Sequence, residues 1–505
     1  MSASTGQVVE SASSRGLITI SIMLATVMQA IDTTIANVAL PNMQGAMSAT
    51  QDQISWVLTS YIVAAAIMTP VTGVLAAQLG RKRIFLISVA GFTLSSVLCG
   101  TSQTLFQIVL FRLLQGVFGA GLVPLSQAVL LDTYPREQHG SAMAIWGLGV
   151  MVGPIIGPSL GGYITEFYNW RWIFYINLPV GLLAFGGILA SVRETRVSDS
   201  QRFDYFGFFL LSIAIGSLQL LLDRGQSLDW FSSSEIVVET VTAILCLYMF
   251  VVHTLTADDP FIPPAMFRDR NFIGGLILMF VIGVTLLATL ALLPPFMQQL
   301  MGFPVVTTGY LLAPRGMGTM LAMVLVGRLV DKIDARLLIL AGLSLTIVAL
   351  FMMTRFTTEV PESAIVLTSV IQGFGFGFVF VPLSTNTFST LAARFRTEGT
   401  AMYSLIRNIG SSIGISVVVT MLARNAQVNH ADLAEFINPF RPVMTPGSLP
   451  SVWDWTTATG AAALNAEVSR QALTISYLND FRLIMWITVA AIPLLLLFKG
   501  KGGRS

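Results

Sequence analysis

The chain predicts an all-α, polytopic membrane protein of fourteen transmembrane helices: two six-helix halves with two further helices inserted between them. Composition is the first reason. Of 505 residues, 54% are hydrophobic and 11% charged, with a mean hydropathy of +0.75, whereas soluble domains carry about 25% charged residues. The second reason is the recurrence of apolar stretches near the length of about 20 residues that crosses a bilayer. The third is an internal repeat.

In chain order the apolar stretches fall at 17–41, 54–77, 84–100, 105–130, 139–163, 172–192, 204–222 and 235–255, then at 272–296, 306–330, 337–354, 363–390, 399–422 and 481–498. An even number puts both termini on one side, and positive charge marks the cytoplasmic side. With the N-terminus inside, the inner loops and ends collect eighteen Lys and Arg, among them Arg81, Lys82, Arg83, Arg136, Arg328 and Arg396. The short outer loops hold three: Arg171, Arg224 and Arg355. The first span has no cleavage site after it and is too long for a signal h-region, so it reads as a retained helix. Segment 423–480, with prolines at 439, 442, 446 and 450, is then a long polar outer loop, and loops of that length are usually functional or disordered.

Gly73, which closes the second span before Gly80 and Arg81, has a counterpart in Gly327 before Asp331 and Lys332, an offset of 254 residues. Gln115-Gly116 followed by Val123-Pro124-Leu125-Ser126 has one in Gln372-Gly373 followed by Val381-Pro382-Leu383-Ser384, at 257–258. Two unrelated signals at nearly one offset argue for a duplicated half. The domains are a six-helix half over 1–203, two inserted helices with a linker over 204–270, and a second half over 271–505. Duplicated helical halves with a midplane site at their interface are a secondary-transporter architecture.

Other classes find little footing. A net charge of +2 without a basic run gives no nucleic-acid patch. Two cysteines, Cys99 and Cys246, and three scattered histidines offer neither disulfide nor metal spacing. No G-x-x-x-x-G-K-[ST] loop is present, so no nucleotide or other cofactor is expected. An enzyme would be expected to gather His, Asp and Glu at a span end, and no such cluster is visible.

Within the spans, charge is the informative rarity. Asp32 stands in an apolar span, where an ionised side chain costs roughly 2.5–3.5 kcal/mol on insertion scales and usually faces a cavity or a proton path. A structural hydrogen bond to a neighbouring helix is the other reading. Arg112 is equally out of place, with Gln115 one turn away on the same face; a clamp on backbone carbonyls is its alternative. Arg315 and Arg407 are further intramembrane cations, suited either to an anionic substrate or to helix carbonyls. Glu239, near a span end, reads as bland. Gly149, Gly153, Gly157 and Gly161 recur every four residues and line one helix face, a pattern that lets another backbone approach closely, and Pro158 loosens that helix.

These motifs resemble the major facilitator superfamily, and within it the fourteen-span drug:proton antiporters. Asp32 to Asn37 and Pro41 is similar to the first-helix motif, Arg112 with Gln115, Gly116 and Gly119 to the fourth-helix motif, and Gly157, Pro158, Gly161 and Gly162 to the fifth-helix antiporter motif. Trp170 to Phe174 with Ile176 to Gly181 is typical of the fourteen-span branch. Leu222 to Gly225, Leu228 to Ser233 and Asn438 to Phe440 look like EmrB-type multidrug pumps of the Gram-negative inner membrane. One departure is Ala77, where the family usually has an aspartate thought to lock the cytoplasmic gate; the second half keeps Asp331. Here the first-half gate is expected to rely on Arg81, Lys82, Arg83 and packing.

The resemblance implies a major facilitator fold and a proton-driven exporter of lipophilic toxic compounds. Asp32 and Arg112 would couple protons, and the fifth-helix glycines would make a tight contact with the other half. Partners would be a periplasmic membrane-fusion adaptor (EmrA-like), docked in part by the 423–480 loop, and an outer-membrane channel (TolC-like). A same-fold transporter dedicated to one metabolite, such as a fatty acid or siderophore, is the first rival; a non-transporting membrane sensor or enzyme is the second.

Overall fold

A computed structural model describes residues 12–194, 203–330, 332–437, 451–454 and 456–498. The first half contains α1 (Ala12–Ala46), α2 (Gln51–Leu79), α3 (Arg81–Thr101), α4 (Leu105–Gly119), α5 (Leu122–Thr133), α6 (His139–Phe167), α7 (Trp172–Tyr175) and α8 (Asn177–Ser191). The insert is α9 (Tyr205–Arg224) and α10 (Ser234–Thr256). The second half contains α11 (Arg270–Pro295), α12 (Val305–Leu329), α13 (Ala335–Met353), α14 (Glu362–Ser389), α15 (Arg396–Glu435) and α16 (Ala458–Ala490). Among the described residues, fourteen helical spans are long and apolar enough to cross a membrane.

Helix ends fall where the sequence supplies caps. Thr50 and Gln53 form a reciprocal capping box at α2, and Asp204, Asp269 and Asp334 accept from first-turn amides of α9, α11 and α13. These contacts satisfy amides that have no partner within the helix. Gly80, at φ +97°, makes the tight turn between α2 and α3, a conformation that a Cβ disfavours.

Packing repeats in the two halves: α1 lies on α6 as α11 lies on α15, α2 on α4 as α12 on α14, and α3 on α4 as α13 on α14. The insert packs chiefly through α9 against α2, and much of α10 is exposed apolar surface, including Val238, Ile244 and Tyr248. The halves meet along α2 with α15 and α6 with α12.

Two sequence boundaries move. Span 105–130 is a broken helix, interrupted between Gly119 and Leu122, where Gly119 and Gly121 weaken helix propagation. The described part of segment 423–480 is largely helical instead of an open loop. At 40 residues α15 is about 60 Å long, roughly twice the hydrocarbon core of a bilayer. Its far end therefore projects beside α16, tied by Asn429 Nδ2 donating to Ser476 Oγ at 2.9 Å. The prolines at 439, 442, 446 and 450 lie outside the described residues, as does the Asn438 to Phe440 motif.

Candidate functional site

Asp32 is fully buried on α1, and its carboxylate is saturated with donors. Arg112 Nη1 donates to Oδ2 at 2.8 Å, while Gln115 Nε2 and Asn177 Nδ2 donate to Oδ1 at 2.9 and 2.8 Å. Arg112 is 1% exposed. Its Nη1 also donates to Gln115 Oε1 at 2.8 Å and its Nε to the Val57 carbonyl at 3.1 Å. The guanidinium lies over the Tyr61 ring at 4.4 Å and near the Phe174 ring at 5.8 Å. Asn177 is in turn held by Ser96 Oγ at 2.9 Å. A pair buried this deeply is balanced against desolvation: it is tolerable intact, but leaving one charge alone costs about 3–5 kcal/mol.

Backbone approach makes the pair possible. A Cβ at Gly116 would run into the Tyr61 carbonyl and lie 3.1 Å from Tyr61 Cα. Only glycine lets α4 sit close enough to α2 for Arg112 to reach Val57. Asn177 is the participant that the sequence motifs did not single out as a site residue. It stands in the Ile176 to Gly181 string, and its signal was a lone amide at the start of an apolar helix.

The duplication carries a silent copy of this site. At the offset of 257 residues, Asp32 becomes Thr289, Arg112 becomes Ser369 and Gln115 becomes Gln372. Gln372 Nε2 donates to Thr289 Oγ1 at 3.3 Å, the counterpart of the Gln115 contact to Asp32. A Cβ at Gly373 would meet the Arg315 carbonyl, as one at Gly116 would meet that of Tyr61. Arg315 therefore occupies the place of Tyr61, and the ion pair exists in one half.

Other candidates separate by position. Asn37 and Pro41 are exposed, and Asn37 Nδ2 donates to the Thr33 carbonyl of its own helix. Five residues beyond Asp32, Asn37 lies about 140° around the helix. The fifth-helix glycines face α1 of their own half, not the other half as the resemblance implied. A Cβ at Gly153 would strike the Ala30 carbonyl and one at Gly157 the Thr34 hydroxyl, while one at Gly161 would lie 2.8 Å from Ile35. Thr34 Oγ1 donates to the Gly153 carbonyl at 3.0 Å. Gly162 faces open space; Pro158 lies within α6. Contact with the other half is made by other positions of α6: Trp146 stacks on Phe380 at 5.7 Å, a Cβ at Gly140 would strike Val330, and one at Gly316 of α12 would strike Ile155. Arg315 is buried, with its guanidinium 5.2 Å from the Phe376 ring centroid, and one nitrogen reaches the Leu286 carbonyl at 3.5 Å. Arg407 is half-buried and touches Asn408.

At the end of the bundle where α1 begins, charge ties the halves together. Asp132 at the end of α5 pairs with Arg81 and with Arg396 of the second half, the latter at 2.6 Å. Arg81 Nε donates to Thr397 Oγ1 at 2.7 Å, and a Cβ at Gly73 would lie 3.0 Å from that of Ala401. Asp132 thus sets a carboxylate between Arg81 of the first half and Arg396 of the second. Lys82 is used within its half, donating to the Leu189 carbonyl at 2.7 Å. Asp331 lies outside the described residues.

A duplicated helical bundle with a buried ion pair in one half and a charge clasp between halves at one end is a secondary transporter, not an enzyme. The chain belongs to the major facilitator superfamily, whose family model matches residues 22–415. It is similar to the probable multidrug resistance protein EmrY of Escherichia coli (36% identity, 92% of each chain). It is also similar to the multidrug export protein EmrB of the same organism (38%, 84% of each) and to the fatty acid resistance protein FarB of Neisseria gonorrhoeae (36%, 84% of each). The fold matches the proton:xylose symporter XylE with a TM-score of 0.62 at 14% identity, over 96% of this chain and 97% of that one. The human organic anion transporter MFSD10 matches with a TM-score of 0.59 at 14% identity, over 94% of this chain and 99% of that one.

Proposed function

We propose that the protein is a proton-coupled antiporter that exports lipophilic toxic compounds across the bacterial inner membrane, with both termini cytoplasmic. The observation that carries the coupling is the Asp32–Arg112 pair. Protonating Asp32 removes the counter-charge of a buried guanidinium, which must then find another partner or move. One proton crossing 100 mV supplies about 2.3 kcal/mol, and each unit of pH gradient adds about 1.36 kcal/mol. Together these are comparable with the roughly 3–5 kcal/mol needed to separate a buried pair, so the proton motive force is of the right size to drive the switch, with no other cofactor. The Asp132 clasp would then be the cytoplasmic gate, closed here.

Multidrug names among the relatives support a broad lipophilic substrate range. FarB and the cations Arg315 and Arg407 favour a second reading, a carrier dedicated to a fatty acid or another lipophilic anion. Adaptor (EmrA-like) and outer-membrane channel (TolC-like) partners follow from the EmrB likeness, and the projecting ends of α15 and α16 are a suitable periplasmic dock. Proteoliposomes test the coupling: an imposed pH gradient should drive dye or drug accumulation that an uncoupler abolishes. Gradient-independent flux would overturn it, and a panel transporting one compound alone would favour the dedicated carrier.

A further inference from the structure

Asp480 on α16 is a second buried carboxylate in the membrane-spanning part, and its surroundings are the opposite of those of Asp32. It is 1% exposed, and neither carboxylate oxygen has a hydrogen-bond partner among the described residues. The residues around it on α16, Tyr477, Phe481 and Ile484, belong to an apolar cluster with Phe296, Leu350 and Val418. Asp480 lies 17 residues before Leu497, about 25 Å along the helix, and therefore toward the end of the slab away from the termini.

The charged neighbours do not rescue it. Helices α11, α13 and α15 pack against α16. The first carries no titratable side chain after Arg270 and the second none after Arg336, both at the opposite end; Arg355, just past α13 at the Asp480 end, is exposed and lies over the Phe351 ring. On α15, Arg407 and Arg424 make no ion pair with Asp480, and Arg424 is exposed; Arg396, Glu398 and Tyr403 lie toward the cytoplasmic end, and His430, next to the Asn429 that reaches Ser476, is bonded to Asn465 Oδ1 at 3.0 Å, with Asp432 and Glu435 further out. On α16 itself, Arg482 is exposed, Glu467 is paired with Arg470, and Tyr477 is one turn away. A carboxylate ion without donors or counter-charge in such a site costs far more than a neutral acid, and the group neutralises instead. Intramembrane acids of this kind mark ion or proton pathways.

We infer that Asp480 is a second proton-binding site, in the C-terminal half, loaded in the conformation in which Asp32 is paired with Arg112. One conformation thus holds one carboxyl against a guanidinium and the other without a donor, and the duplicated copy of the Asp32 site, reduced to Thr289 and Ser369, is not the second site. Proton occupancy follows from the surroundings of Asp480 alone; its use in transport rests on the antiport reading above.

Infrared spectroscopy of the purified full chain in lipid tests occupancy without transport. At neutral pH the wild type should show a protonated-carboxyl C=O component that is lost in Asp480→Asn, shifted in Asp480→Glu and kept in Asp32→Asn. An identical band in Asp480→Asn, or no such band in the wild type, overturns the site. The number of protons released per drug bound, read with a pH indicator in weak buffer, should fall in Asp480→Asn relative to wild type and recover in Asp480→Glu. An unchanged ratio with the band lost overturns the coupling role. Uncoupled transport by the wild type would instead count against the antiport reading and leave the infrared result standing.

Discussion

Asp32→Asn keeps the side-chain size and one oxygen for Gln115 and Asn177, but it strands Arg112. With Arg112 1% exposed, water cannot replace the lost carboxylate, so the buried-pair value applies and the variant should lose about 3–5 kcal/mol of stability. Arg112→Gln strands Asp32 and should lose a similar amount. Combining them removes both charges and leaves amides able to hydrogen-bond each other, so the double variant should be much more stable than the sum predicts. The assay is unfolding in mixed micelles titrated with a denaturing detergent. The coupling expected is near the upper end, about 2–3 kcal/mol, of values for contacting residues. All three variants should lose pH-gradient-driven flux in proteoliposomes. Effects that add within about 0.5 kcal/mol would refute the ion pair. Near-wild-type driven flux in folded Asp32→Asn would refute its part in coupling.

Gly157→Leu should abolish expression or transport, because even a Cβ there meets Thr34, whereas Gly162→Leu should leave both intact; equal transport by the two would count against close packing of α1 on α6. Asp132→Asn should loosen the clasp between Arg81 and Arg396, so that a cysteine placed at Ala401 reacts faster with a thiol reagent from the terminus side; unchanged labelling would remove Asp132 from the gate. Asp204, at the start of α9, is opposed by partial burial, but the Gly207 and Phe261 amides and His253 hold its carboxyl below the ordinary carboxylate value. A lowered value gives stability that is present above the unfolded pKa and lost as pH falls through the folded one. Melting temperatures measured down to about pH 3 should therefore drop less steeply in Asp204→Asn, and an unaltered pH slope would argue against the contact. Deleting 438–450 should weaken co-purification of a membrane-fusion adaptor while sparing liposome flux; retained co-purification would remove the projecting end from the dock.

Much of this molecule is written in one dimension. Apolar runs near the bilayer thickness fix the number of helices, since in hydrocarbon each backbone amide must be satisfied within its own segment. The repeat at 254 to 258 residues fixes the duplicated halves. The expense of charge in lipid marks Asp32 and Arg112, and the structure joins them. What composition cannot carry is partnership across distance. That Asn177 completes the Asp32 shell depends on α8 lying against α1 and α3. That Asp132 stands between Arg81 and Arg396 depends on α5 ending beside α15. The fifth-helix glycines show a period that demands a close neighbour without naming it, and only packing decides that the neighbour is α1. Asp480 sits one residue before the apolar run 481–498, where hydropathy reads it as a solvated flank. The extension of α16 to Ala458 wraps it in neighbours and turns that flank into an interior.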